Sequence, residues 1–213
     1  MQRTTSFLRR ELLVQALRAW PGVLALPLLL PQPAQAGSQV EEPLMDSVRS
    51  ALSSAIHQSA PPVPTFSLDS GRQQYERWLD AMSERLRRRK ADALEHKEFL
   101  PTVWYESKRA GLDVALVLGL IQVESNFRKF AISSAGARGY MQVMPFWTRL
   151  IGDGDPGTLF YMQTNLRFGC VILRHYLDTE NGDLFLALGR YNGSRGQRAY
   201  PDAVLAARRG WEF

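Results

Sequence analysis

The residue best suited to chemistry is Glu124, a carboxylate at the end of a strongly apolar segment. Residues 114–121 are apolar on nearly every face at helical period, which predicts a helix buried all round. A loop of small residues and the run GYMQVMP follow. Burial removes water from such a carboxyl group, and the carbonyl dipoles at a helix C-terminus disfavour its charge, so its pKa should rise. It could then act as a general acid near neutral pH.

The surrounding sequence predicts helices that would hold this carboxylate in place. Asp113 stands at an N-cap position ahead of the apolar helix, and Gly111 is a stop for a helix over residues 94–110. Further helices are predicted over residues 68–90, 166–177, 183–188 and 201–209, the last one opened by Pro201. Hairpin turns between alternating β-branched runs are missing from the sequence. The predicted fold class is all-α.

A leader, residues 37–67, precedes the predicted main domain at residues 68–213. Within it, apolar side chains recur every four residues and indicate a short helix, at Leu44, Val48, Leu52 and Ile56. The proline-rich run at residues 61–64 ends that helix. A partly ordered linker is the alternative interpretation.

The first 36 residues have the composition of a cleaved export signal. Arg3, Arg9 and Arg10 precede an apolar stretch over residues 19–30, and Ala34-Gln35-Ala36 fits a signal-peptidase site. A membrane anchor is the alternative, but this stretch is interrupted by prolines and is shorter than the roughly 20 residues that span a bilayer. We therefore expect cleavage near Ala36, a periplasmic product and no stable membrane span.

The basic charge of the chain belongs largely to that signal. Cleavage after Ala36 would lower the formal net charge from +5 to +2, so composition does not favour nucleic acid as a partner. Cys170 is the only cysteine, which leaves no intrachain disulfide. His57, His96 and His175 lack the spacing of metal ligands, and we expect neither a metal nor another cofactor.

Four motifs stand in order along the chain: Glu124-Ser125, the run AGARGYMQVMP at residues 135–145, Asn165 with Gly169, and Tyr191-Asn192. Together they resemble the soluble lytic transglycosylase (SLT) domain family over about residues 99–205. That resemblance implies a helical domain similar to goose-type lysozyme, acting on peptidoglycan glycan strands. Two details depart from the family pattern. Tyr140 replaces the usual leucine, and the glycine after Asn192 is displaced.

The resemblance also implies roles for individual residues. Glu124 takes the place of the sole catalytic acid and base, and Tyr191 that of a tyrosine whose hydroxyl approaches it. The residues assigned to substrate binding are Ser125, Ser133, Gln142, Met144, Tyr191 and Asn192. Ser125 would also fix the backbone beside the acid. Asn165 and Asn192 stand near predicted helix starts, where an asparagine is more often a cap than a ligand.

Members of that family cleave the β-1,4 bond between N-acetylmuramic acid and N-acetylglucosamine. Most glycosidases need a second carboxylate, but Glu124 is the only acid between Asp113 and Asp153. In the family, the C6 hydroxyl of the muramyl residue attacks its own anomeric carbon and leaves a 1,6-anhydro end. The resemblance therefore implies a peptidoglycan lytic transglycosylase, a lyase acting on a polysaccharide.

Two other functions remain open at this point. A muramidase on the same fold would hydrolyse the bond with water held by an aspartate such as Asp153 or Asp155. A non-catalytic wall-binding accessory of a secretion or conjugation apparatus would use the fold for localisation alone. The complete motif around Glu124 favours an enzyme.

Overall fold

The computed structural model of the chain describes residues 39–57, 64, 66–88 and 93–213. The predicted export signal, residues 1–36, lies outside the described residues, as does most of the proline-rich run. None of the helices described is both long enough and apolar enough to cross a membrane.

The described residues form eight α-helices and one short 3₁₀ helix, which confirms the predicted all-α class. The α-helices are α1 (Asp46–His57), α2 (Asp69–Arg87), α3 (Ala93–Arg109), α4 (Val114–Ser125), α5 (Phe146–Ile151), α6 (Met162–Thr179), α7 (Leu184–Asn192) and α8 (Ala199–Arg209). The 3₁₀ helix spans Pro156–Phe160. Two isolated antiparallel bridges, both made by Arg138, organise the loop between α4 and α5.

Helix α4 lies at the centre of the core. Its N-cap is Asp113, whose carboxylate accepts a hydrogen bond from the Leu116 backbone N–H at 2.8 Å. Residues 114–121 are all buried, which confirms the prediction of a helix covered on every side. Helix α8 packs along it, and α3 covers another face. The helix ends where Asn126 turns left-handed, so Glu124 lies in its last turn.

The leader contributes a helix that packs on the main domain. Helix α1 contacts α5 and α6, and Ile56 belongs to the hydrophobic core while Leu44 and Leu52 pack against it. The apolar repeat therefore marked the buried side of α1 correctly. The three-part division of the chain itself stays a prediction.

Two predicted helix starts differ from the structure. Helix α6 begins at Met162, earlier than predicted, because buried Asn165 is held there by polar contacts that a hydrophobic pattern does not reveal. Helix α8 begins at Ala199, so Pro201 lies inside its first turn rather than opening it. The Asp183 cap is confirmed, since its carboxylate accepts from the Leu186 N–H at 3.0 Å.

Candidate active site

Glu124 is buried, with 5% of its surface exposed, and its Oε1 accepts a hydrogen bond from the Tyr200 hydroxyl at 2.5 Å. Burial raises the pKa of Glu124 to about 8, and the Tyr200 hydrogen bond opposes that rise. The sequence predicted the upward direction from the apolar helix. At neutral pH the carboxyl group is therefore largely protonated.

The two oxygens of this carboxyl group differ in their surroundings. Oε1 is occupied by the Tyr200 hydroxyl, whereas Oε2 is buried and has no hydrogen-bond partner among the described residues. A proton on Oε2 is therefore not engaged by another side chain or backbone group of the described residues. An unpaired buried polar atom is costly, which is why such atoms are often found where a substrate atom supplies the missing partner.

Tyr191 is not the hydrogen-bond partner of Glu124 that the sequence led us to expect. Its hydroxyl donates to the Met141 carbonyl at 2.8 Å. Burial raises the pKa of Tyr191 well above its usual value, and the nearby Glu124 carboxylate raises it further. Sequence reasoning missed Tyr200. A signal was present, because Tyr200 and Val204 are four residues apart and both face the core from α8.

The loop after α4 is tied down by two of the predicted site residues. The Ser125 hydroxyl lies 2.7 Å from the Tyr140 carbonyl and 3.2 Å from that of Ile121. Gln142 adopts a left-handed backbone, and its side-chain amide donates to the Ala131 and Gly139 carbonyls at 3.1 and 2.9 Å. Both side chains are buried, so in this structure they position the loop rather than face solvent.

Helix α6 clamps the same loop. Asn165 accepts from the Met141 N–H at 2.8 Å and donates to the Arg138 and Leu159 carbonyls at 2.8 and 2.9 Å. It is therefore a clamp and not a helix cap, which corrects the expectation from its sequence position. Gly169 completes the contact, since a Cβ there would lie 2.3 Å from the Met141 sulfur.

The remaining predicted residues lie around this clamped loop. Ser133 and Met144 are half-buried, and the Ser133 hydroxyl accepts from the Ala137 N–H at 3.1 Å. Asn192 is buried at the end of α7 and donates to the Ser194 hydroxyl at 3.0 Å. Gly193 ends α7 in a left-handed conformation, so the displaced glycine serves as the helix stop.

The aspartates proposed for a hydrolytic alternative are engaged in their own loop. Asp153 accepts from the Asp155 N–H at 3.1 Å, and Asp155 accepts from the Gly157 N–H at 2.7 Å. Neither is among the groups that shift the pKa of Glu124. Over the described ranges, His, Cys, Asp and Glu side chains do not gather in threes as a metal ion would require.

Comparisons with known proteins agree with the motifs. The sequence model of the family described as "Transglycosylase SLT domain" matches residues 102–203. A membrane-bound lytic murein transglycosylase C from Haemophilus influenzae (strain PittEE) is 31% identical over 115 residues, covering 47% of this chain and 32% of the relative. One from Glaesserella parasuis is 49% identical over 49 residues, covering 23% and 14%. The chain thus spans about a third of the length of the first of these relatives.

A solved structure also matches. It is that of an inactive mutant of the lytic transglycosylase Slt from Pseudomonas aeruginosa, with 24% identity, coverage of 52% of this chain and 21% of that one, and a TM-score of 0.41. The family match spans the acid, the clamped loop and both tyrosines beside it. Residues 102–203 of this chain therefore match the sequence pattern of the transglycosylase SLT domain family.

Proposed function

We propose that this chain is a peptidoglycan lytic transglycosylase with Glu124 as its single general acid and base. The observation that carries the proposal is one buried carboxyl group, protonated at neutral pH, with an unoccupied Oε2. The match of residues 102–203 to the SLT family and the relatives named as lytic murein transglycosylases support the substrate class.

In the first step, Glu124 donates its Oε2 proton to the glycosidic oxygen as the bond from that oxygen to the muramyl anomeric carbon breaks. A group whose pKa lies near the working pH suits this transfer. The departing N-acetylglucosamine keeps the oxygen and the proton, and the muramyl carbon becomes electron-poor. Glu124 is left ionised, and the hydrogen bond from Tyr200 stabilises that charge.

In the second step, the muramyl C6 hydroxyl forms a bond to the anomeric carbon and gives its proton to the ionised carboxylate. Glu124 returns to its starting form, and the product carries a 1,6-anhydro end. Water is not consumed, so the scheme needs no carboxylate to activate it. The engagement of Asp153 and Asp155 in their own loop is compatible with this scheme.

An envelope location accompanies this proposal, because the substrate lies in the wall and the matched relatives carry membrane-bound enzyme names. The predicted export signal is compatible with that location. Service to a secretion or conjugation apparatus remains a prediction.

Mass spectrometry of digested peptidoglycan tests the proposed reaction. Wild-type protein should release muropeptides with 1,6-anhydro ends, each one water lighter than a hydrolytic product. Glu124→Gln removes the acid and should lower product formation by at least about a hundredfold. Hydrolytic ends alone would indicate a muramidase instead, and unchanged digestion by Glu124→Gln would disprove the assignment of the acid.

A further inference from the structure

We propose that Gln39, in the leader, is a positioning residue for Met144 and Tyr191, which are assigned to substrate binding, and that it acts in part through Trp147. The inference rests on the proposed function, because it assigns part of the glycan-binding wall to a segment ahead of residues 102–203 that match the family. Its occupant is the same peptidoglycan strand that Glu124 cleaves.

The side chain of Gln39 is built into the domain although the residue lies far away in sequence. It is 4% exposed, and its Oε1 accepts from the Trp147 indole N–H at 3.0 Å. The same oxygen lies 3.4 Å from the Met144 backbone N–H. Since Trp147 is 2% exposed, its indole N–H depends on this partner.

The other end of the Gln39 amide lies near Tyr191. Its Nε2 is buried without a well-aligned hydrogen bond, yet Gln39 is close enough to the Tyr191 hydroxyl to oppose the rise of the Tyr191 pKa. Tyr191 in turn holds the Met141 carbonyl of the clamped loop. One side chain thus joins the start of α5, the end of α7 and the loop that follows the acid.

Two residues close to Gln39, Glu41 and Glu42, pair with arginines of α5 and α7. Glu42 accepts from Arg190 of α7 at 2.7 and 2.8 Å, and Glu41 lies 3.5 Å from Arg149 of α5. Arg190 directly precedes Tyr191 in α7, and Met144 lies two residues before α5, so residues 39–42 bridge α5 and α7 close to both residues. A segment anchored in this way can set the spacing between Met144 and Tyr191.

Glycan binding measured without turnover tests the inference. Soluble peptidoglycan strands are titrated into Glu124→Gln protein and into Glu124→Gln/Gln39→Met, well below the unfolding temperature. Methionine keeps the length of the side chain but removes both polar atoms, leaving the indole N–H of Trp147 unpaired. The dissociation constant should rise about tenfold.

Two further variants separate positioning from mere stability. Adding Trp147→Phe removes the unpaired donor and should recover most of the lost affinity. Asp46→Asn alters an exposed pair with Arg49 on α1, outside residues 39–42, and should leave affinity unchanged. A lower unfolding midpoint with unchanged affinity would overturn the inference, as would failure of Trp147→Phe to restore binding.

The experiments distinguish failure of the Gln39 inference from failure of the proposed reaction. Normal strand binding by Glu124→Gln and wild-type hydrolytic products would reject the transglycosylase proposal while leaving the effect of Gln39→Met to be measured. Anhydro products together with full affinity in the Gln39→Met protein would reject only the role of Gln39.

Discussion

Glu124 combines two opposing influences on one carboxyl group. Burial favours the neutral acid, whereas the Tyr200 hydrogen bond favours the ionised base, and burial is the larger effect. In the proposed reaction one residue first gives and then takes a proton, and this balance suits it because neither form is strongly disfavoured near a pKa of about 8. The Tyr200 hydroxyl itself stays protonated, since burial raises its pKa well above 10.

Tyr200→Phe should move the alkaline limb of the kcat/KM profile to higher pH. The hydroxyl lowers the pKa of Glu124, so its removal lets burial raise that pKa further, and the acid form persists to higher pH. We also expect kcat to fall about tenfold or more, because the ionised carboxylate loses a charge-assisted hydrogen bond. The measurement is digestion of soluble glycan strands between about pH 5 and 10.

Tyr191→Phe is the matched control for that profile. It removes a hydroxyl that is bound to the Met141 carbonyl rather than to Glu124, so the alkaline limb should stay in place even where the rate falls. A limb that moves to lower pH in Tyr200→Phe would contradict the role assigned to Tyr200.

Helix α6 holds the loop between α4 and α5 in its conformation. Asn165 satisfies backbone groups of the loop, and Gly169 lets Met141 approach the helix axis. The conformation of the loop therefore depends on hydrogen bonds from α6 as well as on those of its own Gln142. That arrangement keeps the loop next to Glu124 without an extended sheet.

Gly169→Ala should disturb the clamp. A Cβ at this position would meet Met141 side-chain atoms at 2.3 and 2.7 Å, so either the helix or the loop has to shift. We expect a loss of about 1–3 kcal/mol in the free energy of unfolding, together with reduced digestion. Denaturant melts and product assays measure the two effects.

Gly71→Ala provides the comparison for this substitution. Gly71 lies in α2, and a Cβ there would come no closer than 3.5 Å to Phe66. Stability should stay the same or rise slightly, because alanine favours a helix. Equal effects of the two substitutions would indicate that the close approach at Gly169 is not the cause.

At the scale of the whole molecule, a cluster of buried charged side chains connects α1 of the leader with α3 and α6. Glu106 of α3 is fully buried and pairs with Arg109 at 2.9 Å and with Arg167 of α6 at 2.9 Å. The same arginines donate to the carbonyls of Ala55 and Ile56 at the end of α1. Three helices thus share one cluster, and α1 is held by polar contacts in addition to its apolar side.

Glu106→Gln should destabilise the fold strongly. The substitution keeps the shape but removes the Glu106 charge that pairs with two largely buried guanidinium groups, and breaking a buried ion pair typically costs about 3–5 kcal/mol. Chemical denaturation at neutral pH measures this change. Glu84→Gln breaks exposed pairs on α2 and should have little effect. A similarly small effect at Glu106 would mean that the cluster is not what holds α1 in place.

The local sequence was sufficient to predict most of the helices and the buried carboxyl group of Glu124. Periodicity identified α1 and α4, the caps at Asp113 and Asp183 were readable from neighbouring residues, and the apolar run before Glu124 predicted the direction of its pKa shift. These features depend on interactions within a few residues. They are the ones that a residue pattern can express.

Tertiary structure decided which side chains meet. Tyr200 reaches Glu124 across 76 positions, Gln39 reaches Trp147 across 108, and Asn165 reaches Met141 across 24. No local pattern encodes such pairs, because each depends on how separate helices pack. The sequence therefore determined the carboxyl group of Glu124 and the helix that buries it, because both depend on neighbouring residues. Packing of separate helices selected Tyr200 as its hydrogen-bond partner and the residues that hold the loop beside it.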